Sequence, residues 1–203
     1  LMVGYNRRFS PLANFLKRKI SEGIPSNMLY RVNAGFIPKE SWIQDDEIGG
    51  GRIIGELCHF VDFLTYMNGS KPVKVSCQKI GNCMNDNINV IVGFENGSSG
   101  TINYTSDGPD SLSKEYFEIF QAGTAGIIND FKSAKFYGES KKSKNLFSQD
   151  KGQKSMINEL ILKFSKSKQM IEFDEIISVT KTCFAIIKSL NNDGKLIYIN
   201  EIN

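Results

Sequence analysis

Three consecutive glycines, followed at once by a helical pattern, constrain this chain more than any other feature. The stretch runs Gly49-Gly50-Gly51-Arg52-Ile53-Ile54-Gly55-Glu56-Leu57-Cys58-His59-Phe60-Val61-Asp62 and holds the only histidine. Glycine reaches backbone angles that other residues avoid, so a triplet marks a tight loop or a close ligand approach. At about 100° per residue, Ile53, Leu57, Phe60, Val61 and Leu64 share one arc of a helix, which predicts a core face. Arg52, Glu56, His59, Phe63 and Tyr66 share the opposite arc. This second arc sets a guanidinium, a carboxylate and an imidazole within side-chain reach of one another. Imidazole is the usual proton carrier near neutral pH, which makes His59 a candidate acid/base; a lone histidine is more often structural.

The remaining composition narrows the classes. A chain of 203 residues with 40% hydrophobic content is one large domain, or a small one with decoration, and has enough apolar material for a core. A net charge of +3 without a clustered basic stripe argues against nucleic acid as a partner. No apolar run approaches the length that crosses a bilayer. The four cysteines, Cys58, Cys77, Cys83 and Cys183, form no CxxC pair, and one histidine cannot complete the common zinc patterns, so no metal site is expected. Cys58 and Cys183 fall in helical apolar stretches and read as buried thiols of a reducing compartment, the cytoplasm.

Ser10-Pro11 is a helix start, with serine as cap and proline at the first helical position, and the helix is expected to run to about Glu22. Arg7 and Arg8 before it read either as surface charges or as forks for a carboxylate or phosphate. Met28 to Phe36 alternates as a strand, with Asn33 on the face of Arg31. The loop from Pro38 to Gly51 is long, as functional loops often are, and holds Asp45, Asp46, Glu47 and the only tryptophan, Trp42, a loop anchor or a ligand contact. The next helix ends at Asn68-Gly69. Strands follow at Val73–Ile80, Asn87–Phe94, Gly100–Thr105, Glu115–Ala122, Ile127–Phe131 and Ala134–Tyr137. Gly138 to Lys154, rich in Lys and Ser, reads as a solvated loop in preference to a phosphate patch. Two helices close the chain. The first turns Ile157, Leu160, Ile161 and Phe164 inward; the second is capped by Asp174 and carries Ile177, Val179, Phe184 and Ile187. The fold class is α+β: a large mixed, mainly antiparallel sheet of about six strands with helices on one face. The other face is open and needs a cover, which predicts a homo-oligomer. No G-x-G-x-x-G is present, because its third glycine would fall at Ile54 and no βαβ unit is expected around it.

These motifs resemble the C-terminal domain of the Gfo/Idh/MocA oxidoreductases, the glucose–fructose oxidoreductase and inositol dehydrogenase family, over essentially the whole chain. VGYNRRFSP is similar to the family's crossing from its Rossmann domain, and GGGRIIGELCHFVD resembles its signature helix. RVNAGFIP followed by Trp42 resembles a branch often fused to a zinc-type dehydrogenase-like domain, and the DKGQK, helix, FDEI, helix pattern is similar to the family's tail. The resemblance implies that residues 1–203 are a substrate-binding and oligomerisation domain whose N-terminal Rossmann partner is absent from this chain. That partner would bring NAD or NADP and the catalytic lysine, so the domain alone is expected to be inactive. The implied substrate is a sugar, polyol or nucleotide sugar. In such enzymes the signature helix carries an Asp and, four residues on, an acid/base His. The His position is His59. The Asp position is Gly55, a departure, and Glu56 is the candidate replacement. Arg7, Arg8, Asn33, Trp42 and Arg52 are the candidate substrate contacts. The loss of the Asp leaves two alternatives open: a non-catalytic scaffold, and an NAD-dependent elimination or glycoside cleavage.

Overall fold

Alternation along the strands decides which face the helices cover. The computed structural model describes residues 2–45, 47–81, 87–166 and 168–202. Among these, nine strands form one sheet: β1 (Asn27–Asn33), β2 (Pro72–Lys79), β3 (Ile88–Phe94), β4 (Ser99–Thr105), β5 (Glu115–Gln121), β6 (Thr124–Asn129), β7 (Ser133–Tyr137), β8 (Lys142–Asn145) and β9 (Ile197–Tyr198). Their order is β8-β7-β6-β5-β1-β4-β3-β2-β9. Only β1 and β4 run parallel, with Asn33 beside Thr105 at their shared C-terminal end. The other neighbours are antiparallel, and Val32 of β1 pairs with Glu115 at the start of β5. The ends of β1 and β4 and the beginning of β5 therefore meet at one end of the sheet.

Four α-helices accompany it: α1 (Pro11–Lys17), α2 (Cys58–Asn68), α3 (Gln153–Phe164) and α4 (Phe173–Leu190). A π-helical turn, Ile53–Leu57, leads directly into α2. Met28, Tyr30 and Val32 of β1, Ile102 and Tyr104 of β4, and Phe117 and Ile119 of β5 point toward the helices and are buried. The expected core arc of α2 holds, since Ile53, Leu57, Phe60, Val61 and Leu64 are all buried. Phe63, expected on the polar arc, is buried too. Its ring lies 5.0 Å from Phe117 and 5.7 Å from Phe131 in edge-to-face contacts, a geometry that aromatic quadrupoles favour. The opposite sheet face is open, with Ile91 at 53% and Phe120 at 49% exposure.

The expected helix start is present: the Ser10 hydroxyl accepts the Leu12 amide at 3.2 Å, and Pro11 opens α1. The helix stops at Lys17 and not near Glu22. Gly69 closes α2 in the left-handed conformation. The count of about six strands is corrected to nine among the described residues. The sequence signal was weakest at the two edges. Strand β8 reads Lys-Ser-Lys-Asn, the charged composition of a solvated loop and also of an edge strand that resists pairing with other chains. Strand β9 is two residues long. The last two helices also differ from expectation. Helix α3 buries none of its residues, and Phe164 is 81% exposed. Helix α4 starts one residue earlier than the expected Asp174 cap; it buries Val179 as expected, together with Ile176 and Ile186, while Ile177 and Phe184 stay exposed. Cys77 and Cys183 are buried free thiols and Cys58 is half-buried; Cys83 and Asp46 lie outside the described residues. No helix among the described residues is long and apolar enough to cross a membrane.

Candidate active site

The glycine triplet is a loop built by close approach. Gly50 and Gly51 have φ of +67° and +69°, which favour glycine. A Cβ on Gly49 would lie 2.3 Å from the Trp42 carbonyl oxygen, so the chain folds back on itself there. This loop delivers the π-helical turn to the sheet end where β1 and β4 finish. Such turns insert one extra residue per turn and occur often at functional positions. The triplet does lie between a strand and a helix of a parallel crossover, since β1 reaches β4 through α2 and the β2–β3 hairpin. The connection before it is long, unlike the tight phosphate-binding turn of a dinucleotide fold.

Glu56 is the electrostatic centre of this end. Its Oε2 accepts hydrogen bonds from Arg52 at 2.9 Å and from the Tyr104 hydroxyl at 2.5 Å, and its Oε1 accepts one from the Lys114 ammonium at 2.5 Å. Burial opposes the charge, but these donors outweigh it and hold the carboxyl at about 2. Arg52 also donates to the carbonyls of Gly35 at 2.7 Å and Ala34 at 3.2 Å, and its guanidinium stacks over Tyr104. It ties the loop after β1 to the helix.

His59 sits one turn along. Its ring is half-buried and meets Tyr5 edge to face at 5.8 Å. The Nδ1 atom is buried and makes no hydrogen bond, so the ring meets solvent along its other edge. Burial, with the Arg7 charge in second place, lowers its pKa to about 4, despite opposing pulls from Glu115 and Glu56. The imidazole is therefore neutral at pH 7. No hydrogen bond joins His59 to Glu56, so the structure does not bring the expected replacement carboxylate onto the imidazole. Gly55, four residues before His59, is exposed and has helical geometry. A Cβ there would meet only the Gly49 carbonyl oxygen, at 3.6 Å, an ordinary contact.

The other sequence candidates separate. Neither arginine of the N-terminal pair is a surface charge. Arg7 forks onto Glu115 at 2.7 and 2.9 Å, while Tyr30 at 2.6 Å and Lys151 at 2.6 Å reach the same carboxylate. Burial works against the Glu115 charge, and the Arg7 and Lys151 contacts outweigh it and hold the group at about 2. Arg8 forks onto Asp62 at 3.1 and 2.5 Å and reaches Glu175 at 2.8 Å. Asn33 projects from the open face of β1 and donates to the Pro109 and Leu112 carbonyls at 2.8 and 3.2 Å, which secures the loop before β5. Trp42 is 65% exposed, which excludes the loop-anchoring core role.

Tyr5, Tyr104, Lys114, Glu115 and Lys151 were not anticipated at this end. Glu115 carried a readable signal. It stands in phase with Phe117 and Ile119 on the inward face of a strand, and an inward carboxylate requires a cation. Lys151 lay in the segment read as solvated, yet its ammonium is largely buried on Glu115.

A mixed sheet with helices on one face, and an imidazole beside two clamped carboxylates, defines the class to which comparison with known proteins then gives a family. The family model described as GFO/IDH/MocA C-terminal domain matches residues 25–129, and the chain belongs to that family. No curated protein matches the sequence. Among solved structures, the fold is similar to an oxidoreductase domain protein from Kribbella flavida (TM-score 0.83, 14% identity, 98% of this chain and 65% of that one). It is similar also to levoglucosan dehydrogenase in complex with NADH (TM-score 0.77, 15% identity, 98% and 65%). A third is UDP-N-acetylglucosamine 3-dehydrogenase from Acidithiobacillus ferrooxidans (TM-score 0.75, 15% identity, 96% and 62%). The chain thus spans just under two thirds of the length of these structures.

Proposed function

We propose that this domain is the substrate side of an NAD(P)-linked oxidoreductase acting on a secondary hydroxyl of a sugar, polyol or nucleotide sugar, with His59 taking the hydroxyl proton. The observation that carries the reading is the state of His59. It is a neutral, half-buried imidazole at the end of the sheet where loop and strand termini converge. Membership of an oxidoreductase family supports the reaction class. Among the described residues there is no tight glycine-rich βα turn of the kind that holds a pyrophosphate, so the reading gives this domain the alcohol and not the dinucleotide phosphates. When bound, the nicotinamide supplies the hydride acceptor. The chain's own part is to hold the alcohol and accept its proton as the C–H hydride leaves and the carbonyl forms. A neutral ring has a nitrogen lone pair free to take the proton, although the lowered pKa makes it a weaker base than free imidazole. Glu56 acts here as a positioning residue, because each of its oxygens is already held by Lys114, Arg52 or Tyr104.

A second reading, a scaffold without catalysis, is favoured by Gly55, which leaves His59 without the carboxylate that orients it in the family. The discriminating experiment is NAD(P)-dependent oxidation of a sugar panel by the protein that carries this domain, repeated with substrate deuterated at the reacting carbon. A slowed rate with deuterium and transfer of the label to the reduced cofactor support the oxidoreductase. Cofactor binding without turnover of any member supports the scaffold.

A further inference from the structure

We infer that Tyr5 is a positioning residue for His59: the face of its ring receives the imidazole edge that carries Nδ1–H, which leaves the Nε2 lone pair on the open side of the site. The inference rests on the reading of His59 as the acid/base and adds which nitrogen takes the proton and what selects it. A neutral imidazole is a base through one nitrogen only. The other nitrogen holds the proton, and the hydrogen bond it donates ordinarily decides which is which. Here that bond is missing. Nδ1 is buried and has no partner among the described residues. Position 55, one helical turn earlier, holds glycine and offers no acceptor. Arg7, Glu115, Glu56 and Lys114 act on the ring by charge, and none of them bonds to Nδ1.

What the imidazole does meet is Tyr5, with ring centroids 5.8 Å apart and ring planes at 82°. In such a pair the edge of one ring lies against the face of the other. An aromatic face is electron-rich, so it attracts an N–H and repels a lone pair. A buried Nδ1 beside that face is therefore the protonated nitrogen, and Nε2 is the one free to act. Tyr5 is suited to holding the ring and not to moving protons. It is 3% exposed, and burial raises its phenol well above the ordinary range, so it stays neutral near pH 7. The chain just after it is pinned. Asn6 donates to the Lys151 carbonyl at 2.8 Å, and Arg7 forks onto Glu115 at 2.7 and 2.9 Å. An aliphatic side chain at position 5 would fill much of the volume but present no aromatic face.

His59 is the only histidine, so its two ring nitrogens are seen without overlap in a long-range proton–nitrogen spectrum of the labelled 203-residue chain. The shift of each nitrogen reports whether it carries a proton. Neutral histidine in water favours the Nε2–H form; the expected result in the folded chain near pH 7 is the reverse, with Nδ1 protonated and Nε2 bare. Tyr5→Phe keeps the ring and should preserve this state. Tyr5→Leu should move the ratio of the two forms about three- to tenfold toward Nε2–H, the worth of one edge-to-face contact, with the amide spectrum otherwise unchanged as proof of folding. In the protein carrying this domain, Tyr5→Leu should lower kcat for NAD(P)-linked sugar oxidation by a similar factor with little change in KM, and Tyr5→Phe should restore it. An Nε2–H ring in the wild type, or an Nδ1–H ring that persists in folded Tyr5→Leu, would overturn the inference. If the nitrogens behave as expected but no sugar is oxidised, the role of Tyr5 in placing the proton stands and the acid/base reading of His59 fails.

Discussion

Gly55 and His59 show how far one residue sets the chemistry of this site. His59 is held neutral mainly by burial, with no carboxylate on its ring to favour the charged form. Placing one there should reverse part of the shift. In Gly55→Asp, the His59 pKa measured by NMR titration is expected to rise above its starting value of about 4. The variant should melt at the same or a slightly higher temperature by calorimetry, because glycine is the costlier residue in a helix and the position has room. The linkage has a definite sign. The folded-state pKa of His59 lies below the unfolded value of about 6.5, so its contribution to stability is complete above that value and is lost as pH falls toward 4. Denaturant unfolding between pH 4 and 6.5 should therefore show a shallower loss in Gly55→Asp than in the parent. Glu56 carries a related lesson. Its pairing with Arg52, four residues earlier, was legible from the helical period, but its other partners were not. Lys114 and Tyr104 arrive from residues 58 and 48 positions away in sequence, and no local pattern encodes that pairing.

At the scale of elements, the sequence was most informative where one residue's surroundings come from its own helix or strand. The Ser10-Pro11 start, the Gly69 stop and the core arc of α2 were all readable for that reason. Helix α3 is the opposite case. Its apolar period was correctly located, yet periodicity identifies a face and not what the face meets. Among the described residues, Ile157, Ile161 and Phe164 remain exposed. Arg7 and Arg8 follow the same logic, since a pair of adjacent arginines gives no hint that each is buried on a different distant carboxylate. The elements should differ accordingly in energy. Phe63→Ala is expected to cost about 3–5 kcal/mol, the usual loss for an aromatic removed from a packed core. Ile161→Gln is expected to change stability by about 0.5 kcal/mol or less, as at other exposed sites. Urea unfolding of the two variants checks both, and a large loss in Ile161→Gln would show that its face is covered in solution.

For the whole molecule, the open sheet face makes the strongest demand. Ile91 and Phe120 stand on it with about half their surface accessible, alongside the partly buried Leu29 and Ile127. An exposed face of this kind is expected to be covered, and we propose that a second copy of the chain covers it. Light scattering at micromolar concentration should return at least a dimer, and Ile91→Glu with Phe120→Glu should return a monomer with an unchanged circular dichroism spectrum. The open face lies away from His59, so association would leave the active end free. On this proposal one end of the sheet would hold the chemistry and one face the assembly.

The most direct test of the account is the rate of NAD(P)-linked sugar oxidation by the protein carrying this domain, wild type beside His59→Ala. Loss of a proton-transfer residue should lower the rate about 10²–10⁴-fold while the substrate still binds. A wild type that turns over sugar and a His59→Ala variant that keeps its rate would contradict the role assigned to the imidazole.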